Sequence, residues 1–206
     1  MSESDFLATL PIERRLALSY APARSRGLWL GLFALDARLC GIVHDAREPM
    51  LAQIKLSWWR EELGKPVDQR RRGEPLLALL EPWGDQAQGL ASLSNTWEPL
   101  LGDELLGQPE VASATEGRAA ACLTLAEILG LPPTGIAEAA RGWALADLAP
   151  MLAEPAAHDW SRVSLPRELR PLQVLYGLAV RQRGQLPLLH GPIAALVAVR
   201  LGLLGI

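Results

Sequence analysis

This chain has little of what most enzyme sites are built from. Its three histidines and two cysteines are spread over 206 residues, too far apart to read as a zinc ligand set. It has no glycine-rich phosphate loop, and Ser94, Ser161 and Ser164 lack the context of a nucleophile elbow. The net charge is −3 and is spread along the chain. No basic face can hold a nucleic-acid backbone by counterion release, so nucleic acid is not an expected partner. Arg70-Arg71-Arg72 is the only tight basic run and reads as a solvated loop. Cys40 and Cys122 each sit in an apolar helical context, which predicts two buried thiols in a reducing compartment and no disulfide. Met1-Ser-Glu-Ser-Asp has neither the positive region nor the apolar core of a signal peptide. The longest apolar run, Pro192 to Ile206, is too short for a span of about 20 residues and is broken by Arg200, so it reads as a core or interfacial helix. The expectation is a cytoplasmic protein, at most peripheral at the inner face of a membrane.

β-Branched residues are also scarce. Half of the chain is hydrophobic and only 21% is charged, with leucine and alanine dominating, a balance that favours helix over strand. An all-α fold follows, with residues 1–206 in one domain because two would each be marginal at this length. Ile12 to Tyr20 reads as a short helix opened by Pro11. Gly27 to Asp45 reads as a second, with Leu28, Leu32, Leu35, Leu39 and Ile42 at helical spacing. Glu48-Pro49 opens a third, ended by Gly64-Lys65-Pro66. On it Leu51, Ile54 and Trp58 line one side and Leu56, Trp59 and Leu63 the next, predicting a helix covered on much of its circumference. From Gly73 to Gly107 prolines and glycines divide the chain into brief helices, with Leu76, Leu77, Leu80, Leu90, Leu93, Leu100 and Leu105 facing inward. Ala112 to Leu129, Thr134 to Leu148, Leu165 to Gln182 and Pro192 to Leu204 complete a bundle of about eight helices. The seven tryptophans are expected mostly in the core, with Trp83 and Trp160, in polar breaks, as the exposed pair.

The stretch from Ala34 to Leu63, ALDARLCGIVHDAREPMLAQIKLSWWREEL, is the most informative. Lys55-Leu56-Ser57-Trp58-Trp59-Arg60 resembles the Trp-Trp-Arg helix of the squalene/phytoene synthase family. In that family the preceding helix ends in an Asp-Asp-x-x-Asp motif. The positions here read Cys40-Gly41-Ile42-Val43-His44, followed by Asp45. Glu116 to Leu148 and Ser161 to Arg181 loosely resemble later segments of the family, and Ser164-Leu165-Pro166 its tyrosine-leucine-proline element. The second aspartate cluster would fall on Ala153 and Ala157, with Asp147, Glu154 and Asp159 nearby. The resemblance implies a shortened isoprenoid-synthase-like helical domain with a central apolar cavity. Tyr20, Asp36, Cys40, His44, Asp45, Trp59 and Arg60 are the candidate cavity or ligand-binding residues.

A prenyl diphosphate synthase holds two or three Mg²⁺ ions between facing carboxylate clusters, and magnesium takes hard oxygen ligands. Cys40 and Gly41 offer none. The resemblance therefore implies a divergent member, similar to the branch that includes a mitochondrial assembly factor for respiratory complex I. Such a member binds an isoprenoid or other lipid or helps assemble a membrane complex, with no catalytic residue, metal or cofactor expected. The rival reading is a working prenyltransferase that condenses two isoprenoid diphosphates head to head with Mg²⁺. His44-Asp45 and His158-Asp159 are the histidine–carboxylate neighbours that acid–base chemistry would use, but adjacent helical residues point about 100° apart. His44-Asp45 is expected as a solvent-facing helix end, and Arg60 has two equal readings, as a group that holds a diphosphate or a partner carboxylate and as a surface partner of Glu61 or Glu62.

Overall fold

A computed structural model describes residues 2–102, 105–154, 156–182, 188–189 and 191–205. Prolines open most of its helices, because their fixed φ fits the first turn and their missing N–H has no partner there. In chain order the α-helices are α1 Glu3–Thr9, α2 Ile12–Ser19, α3 Ala23–His44, α4 Pro49–Gly64, α5 Pro75–Leu79, α6 Leu93–Trp97, α7 Gln108–Ile128, α8 Ile136–Leu148, α9 Arg170–Gln182 and α10 Pro192–Leu204. No strand occurs among the described residues; one isolated parallel bridge joins Leu106 to Leu152. The fold is all-α.

Local signals account for most boundaries. Ser2 and Asp5 form a reciprocal capping box on α1, a helix absent from the sequence reading. Gly130 takes φ 68° just after α7. The next amide, Leu131 N–H, reaches back to Ala126 O at 2.9 Å, closing the helix in the manner that favours glycine. Between α5 and α6 the chain runs in tight 3₁₀ turns over Glu81–Leu90, broken at Gly84, where φ is 53°.

α3 is the axis of the core. It is long and apolar enough to cross a membrane by length and composition, but more than half of its most apolar window is buried inside the protein. Trp29 and Phe33 lie 5.3 Å apart, and Phe33 meets Trp143 of α8 edge-on at 5.8 Å. Trp29 Nε1 donates to Glu168 O at 2.9 Å, so the polar handle of this buried ring is satisfied. α7 packs along α8, and α9 packs against α2, α8 and α10.

Several expectations need correction. Trp83 is only 1% exposed, because its ring fills the space beside Gly31 and its N–H donates to Leu28 O of α3 at 3.2 Å. Arg70 is likewise buried: its guanidinium donates to Lys65 O and Gly84 O and ties the loop together. Leu105 points outward. On α4 only the Leu56, Trp59 and Leu63 side is buried, while Met50, Leu51 and Ile54 are exposed. The apolar residues of α4 exceed what its neighbours cover. Cys122 is buried and Cys40 half-buried, both as free thiols.

Candidate functional site

The polar centre of the molecule is built on Asp36, which α3 turns into the core with no exposed surface. Its Oδ1 accepts from Trp97 Nε1 of α6 at 2.8 Å. Its Oδ2 accepts from Arg118 Nη2 of α7 at 3.0 Å and lies 2.8 Å from Arg14 Nη1 of α2. The same two arginines reach a second carboxylate, Asp147 of α8. Arg14 Nη2 donates to Asp147 Oδ2 at 2.9 Å, and Arg118 Nη1 stands 2.9 Å from that oxygen. Asp36, Arg14, Asp147 and Arg118 thus close a ring in which each charge faces two of opposite sign.

The ring is neutral and nearly dry. Arg14 and Arg118 are 4% and 1% exposed. Isolated charges at such depth would be driven to their neutral forms, so each depends on its partners. Burial alone would raise the Asp36 carboxyl pKa, but Arg118, Arg14 and the Trp97 N–H outweigh it and hold the group below its ordinary value. Burial likewise opposes the charge on Arg14, and Asp36 and Asp147 more than restore it. Tryptophan faces complete the enclosure. Arg118 lies 4.6 Å from the Trp143 ring centre and 5.4 Å from that of Trp97, and Arg14 lies 5.3 Å from Trp143. These rings favour a weakly hydrated cation beside them. Nε of each arginine makes no hydrogen bond among the described residues, so the enclosure is electrostatically strong but not saturated.

Of the candidates read from sequence, the structure brings Asp36 and Cys40 to this centre. Cys40 lies one turn after Asp36 and feels all four ring charges; burial and Asp36 push its thiol pKa upward, which makes it a poor nucleophile. His44 and Asp45 are exposed at the end of α3. Tyr20 follows α2 and lays its ring over Gly202 of α10. Trp59 is buried with Trp58 edge-on at 4.9 Å. Arg60 turns to Glu98 at 2.6 Å rather than to its helix neighbours. His158 is enclosed between Trp160 and Tyr176, with Nε2 3.4 Å from Glu138 Oε1. Burial lowers its pKa against the pull of Glu138 and Asp159. Tyr176 is pushed up to about 12 by burial and the same carboxylates, and its hydroxyl donates to Ser161 O at 2.7 Å. His190 lies outside the described residues.

Arg14 and Arg118 escaped the sequence reading because an arginine on an amphipathic helix reads as solvent-facing. Spacing did hold a signal for Arg118: it shares its face of α7 with Ala114, Thr115, Ala121 and Cys122, none of them charged.

This donor set does not fit the magnesium that the family resemblance raised. Asp36 uses both oxygens on protein donors, Asp147 Oδ2 faces two guanidiniums, and Cys40, Gly41 and His44 supply no hard oxygen. Comparison with family models, with curated protein sequences and with solved structures finds no match.

Proposed function

We propose that this protein is a divergent helical protein of squalene/phytoene synthase type that works by binding or assembly and not by magnesium-dependent prenyl transfer. The observation that carries the reading is the ring. An enzyme of that type sets two carboxylate helices face to face and bridges them with metal. Here Asp36 of α3 and Asp147 of α8 are bridged by two guanidiniums. Two unit positive charges balance two carboxylates and leave no excess to hold a diphosphate leaving group. The Trp58-Trp59-Arg60 element serves the same reading as part of the scaffold: Trp59 packs in the core and Arg60 ties α4 to Glu98. With the polar centre closed, the working surfaces are external, which favours a lipid surface or a partner in a membrane complex over a substrate held in the interior.

Calorimetric titration with a non-hydrolysable farnesyl or geranylgeranyl diphosphate analogue, with and without Mg²⁺, tests this directly. No magnesium-dependent binding is expected. A magnesium-dependent heat would restore the prenyltransferase reading.

A further inference from the structure

α10 is inside out for a helix on a protein surface. Its buried side is made of small residues and one leucine, namely Ala194, Ala198, Leu201 and Gly202. Its outer side carries large apolar side chains: Ile193 is 57% exposed, Leu196 69%, Leu203 68% and Leu204 63%. Arg200 is the single charge on the helix. Soluble helices place their large apolar residues inward, and a contiguous apolar patch of this kind marks a contact surface.

The charge around the patch identifies what it meets. After Glu168 the sequence has four arginines, Arg170, Arg181, Arg183 and Arg200, and no aspartate or glutamate. α9 and α10, together with α2 packed against both, carry Arg15, Arg170, Arg181 and Arg200 besides the ring's Arg14, against one carboxylate, Glu13. In a chain of net charge −3, this side is locally cationic. A second copy meeting the face would set Arg200 and its neighbours against like charges. An anionic bilayer supplies an apolar phase and a negative surface together.

We infer that the outer face of α10 docks on an anionic lipid bilayer, with the helix lying in the interface plane. At 13 residues α10 is about 20 Å long by its rise per residue, too short to cross an apolar layer of about 30 Å. Ile193, Leu196, Leu203 and Leu204 enter the acyl boundary, and Arg200 extends its stem to the headgroups. Arg170 Nη2 donates to Leu204 O at 3.2 Å and anchors the C-terminal end of the helix. The inference rests on α10 and its surroundings alone, so its failure leaves the magnesium test above untouched.

Co-sedimentation of the full chain with phosphatidylcholine vesicles, and with phosphatidylcholine–phosphatidylglycerol vesicles, tests it. Binding to the anionic vesicles is expected, weakened roughly tenfold or more by Leu196→Asp or Leu203→Asp, as removal of one buried leucine implies. Arg200→Glu should reduce the preference for anionic over neutral lipid. Both leucines are exposed, so the variants should keep the wild-type helical spectrum and unfolding midpoint. No binding, or binding that both leucine variants retain in full, overturns the inference. A dimer in size-exclusion light scattering that these variants dissolve, without vesicle binding, overturns it too and assigns the face to a second copy.

Discussion

At the residue scale, one aspartate shows how a buried charge is made tolerable. Asp36 is kept ionised because two guanidiniums and an indole N–H face it. The sign of the resulting pH dependence follows from its lowered folded pKa. The unfolded carboxyl binds its proton first as pH falls, so the Asp36 contribution is complete above about pH 4 and is lost as pH drops further through the folded value. Urea midpoints measured from pH 7 to pH 3 should therefore show a first loss below about pH 6.5, where His158 with its lowered pKa takes up its proton sooner in the unfolded chain, and the Asp36 loss only below about pH 4. A midpoint that instead rose as pH fell from neutrality toward about 5 would mean that burial dominates and that the carboxyl is held above its ordinary value. Asp36 was among the candidates that the family resemblance put on this helix. Its partners were not: Arg14, Trp97 and Arg118 come from three other helices, and no local spacing announces contacts across 22, 61 and 82 positions.

At the scale of elements, periodicity and punctuation located most helices, since prolines and glycines sit where first turns and helix ends require them. The same signals failed where tertiary contact decides the outcome. α4 has the apolar width of a helix enclosed on many sides, yet Leu51 and Ile54 face out because α3, α6 and the turns over Glu81–Leu90 and Glu98–Leu101 pack against α4 and leave that side uncovered. Trp83 lies in a polar break and is buried all the same, because Gly31 leaves room for its ring on α3. Glycine plays that part again at Gly202, where a Cβ would run into the Tyr20 ring. Gly202→Ala should therefore loosen α10 from the end of α2. It should cost about 1–3 kcal/mol, the usual range for overpacking a close contact, and raise amide exchange in α10 before the rest of the chain. Unchanged stability and exchange would show that Tyr20 moves aside freely, and the contact would then not position the helix.

Across the whole molecule the ring ties α2, α3, α7 and α8 at one point, with α6 joined through Trp97. Elements far apart in sequence thereby share one set of charges, which cannot be removed singly without leaving another buried and unpaired. The all-α class was readable from composition and spacing, because helix propensity and apolar periodicity are local properties. The closed centre was not, because it is a long-range fact about which polar side chains survive burial together. Carboxylates kept for metal chemistry and carboxylates kept for structure respond oppositely to neutralisation. The most direct measurement is the urea stability of Asp36→Asn, which keeps the side chain's shape but leaves two guanidiniums facing one carboxylate. A loss of about 3–5 kcal/mol is predicted, the usual cost of stranding a buried charge. An unchanged or higher midpoint would contradict the account, and would mean that Asp36 is held at the centre for something other than structure.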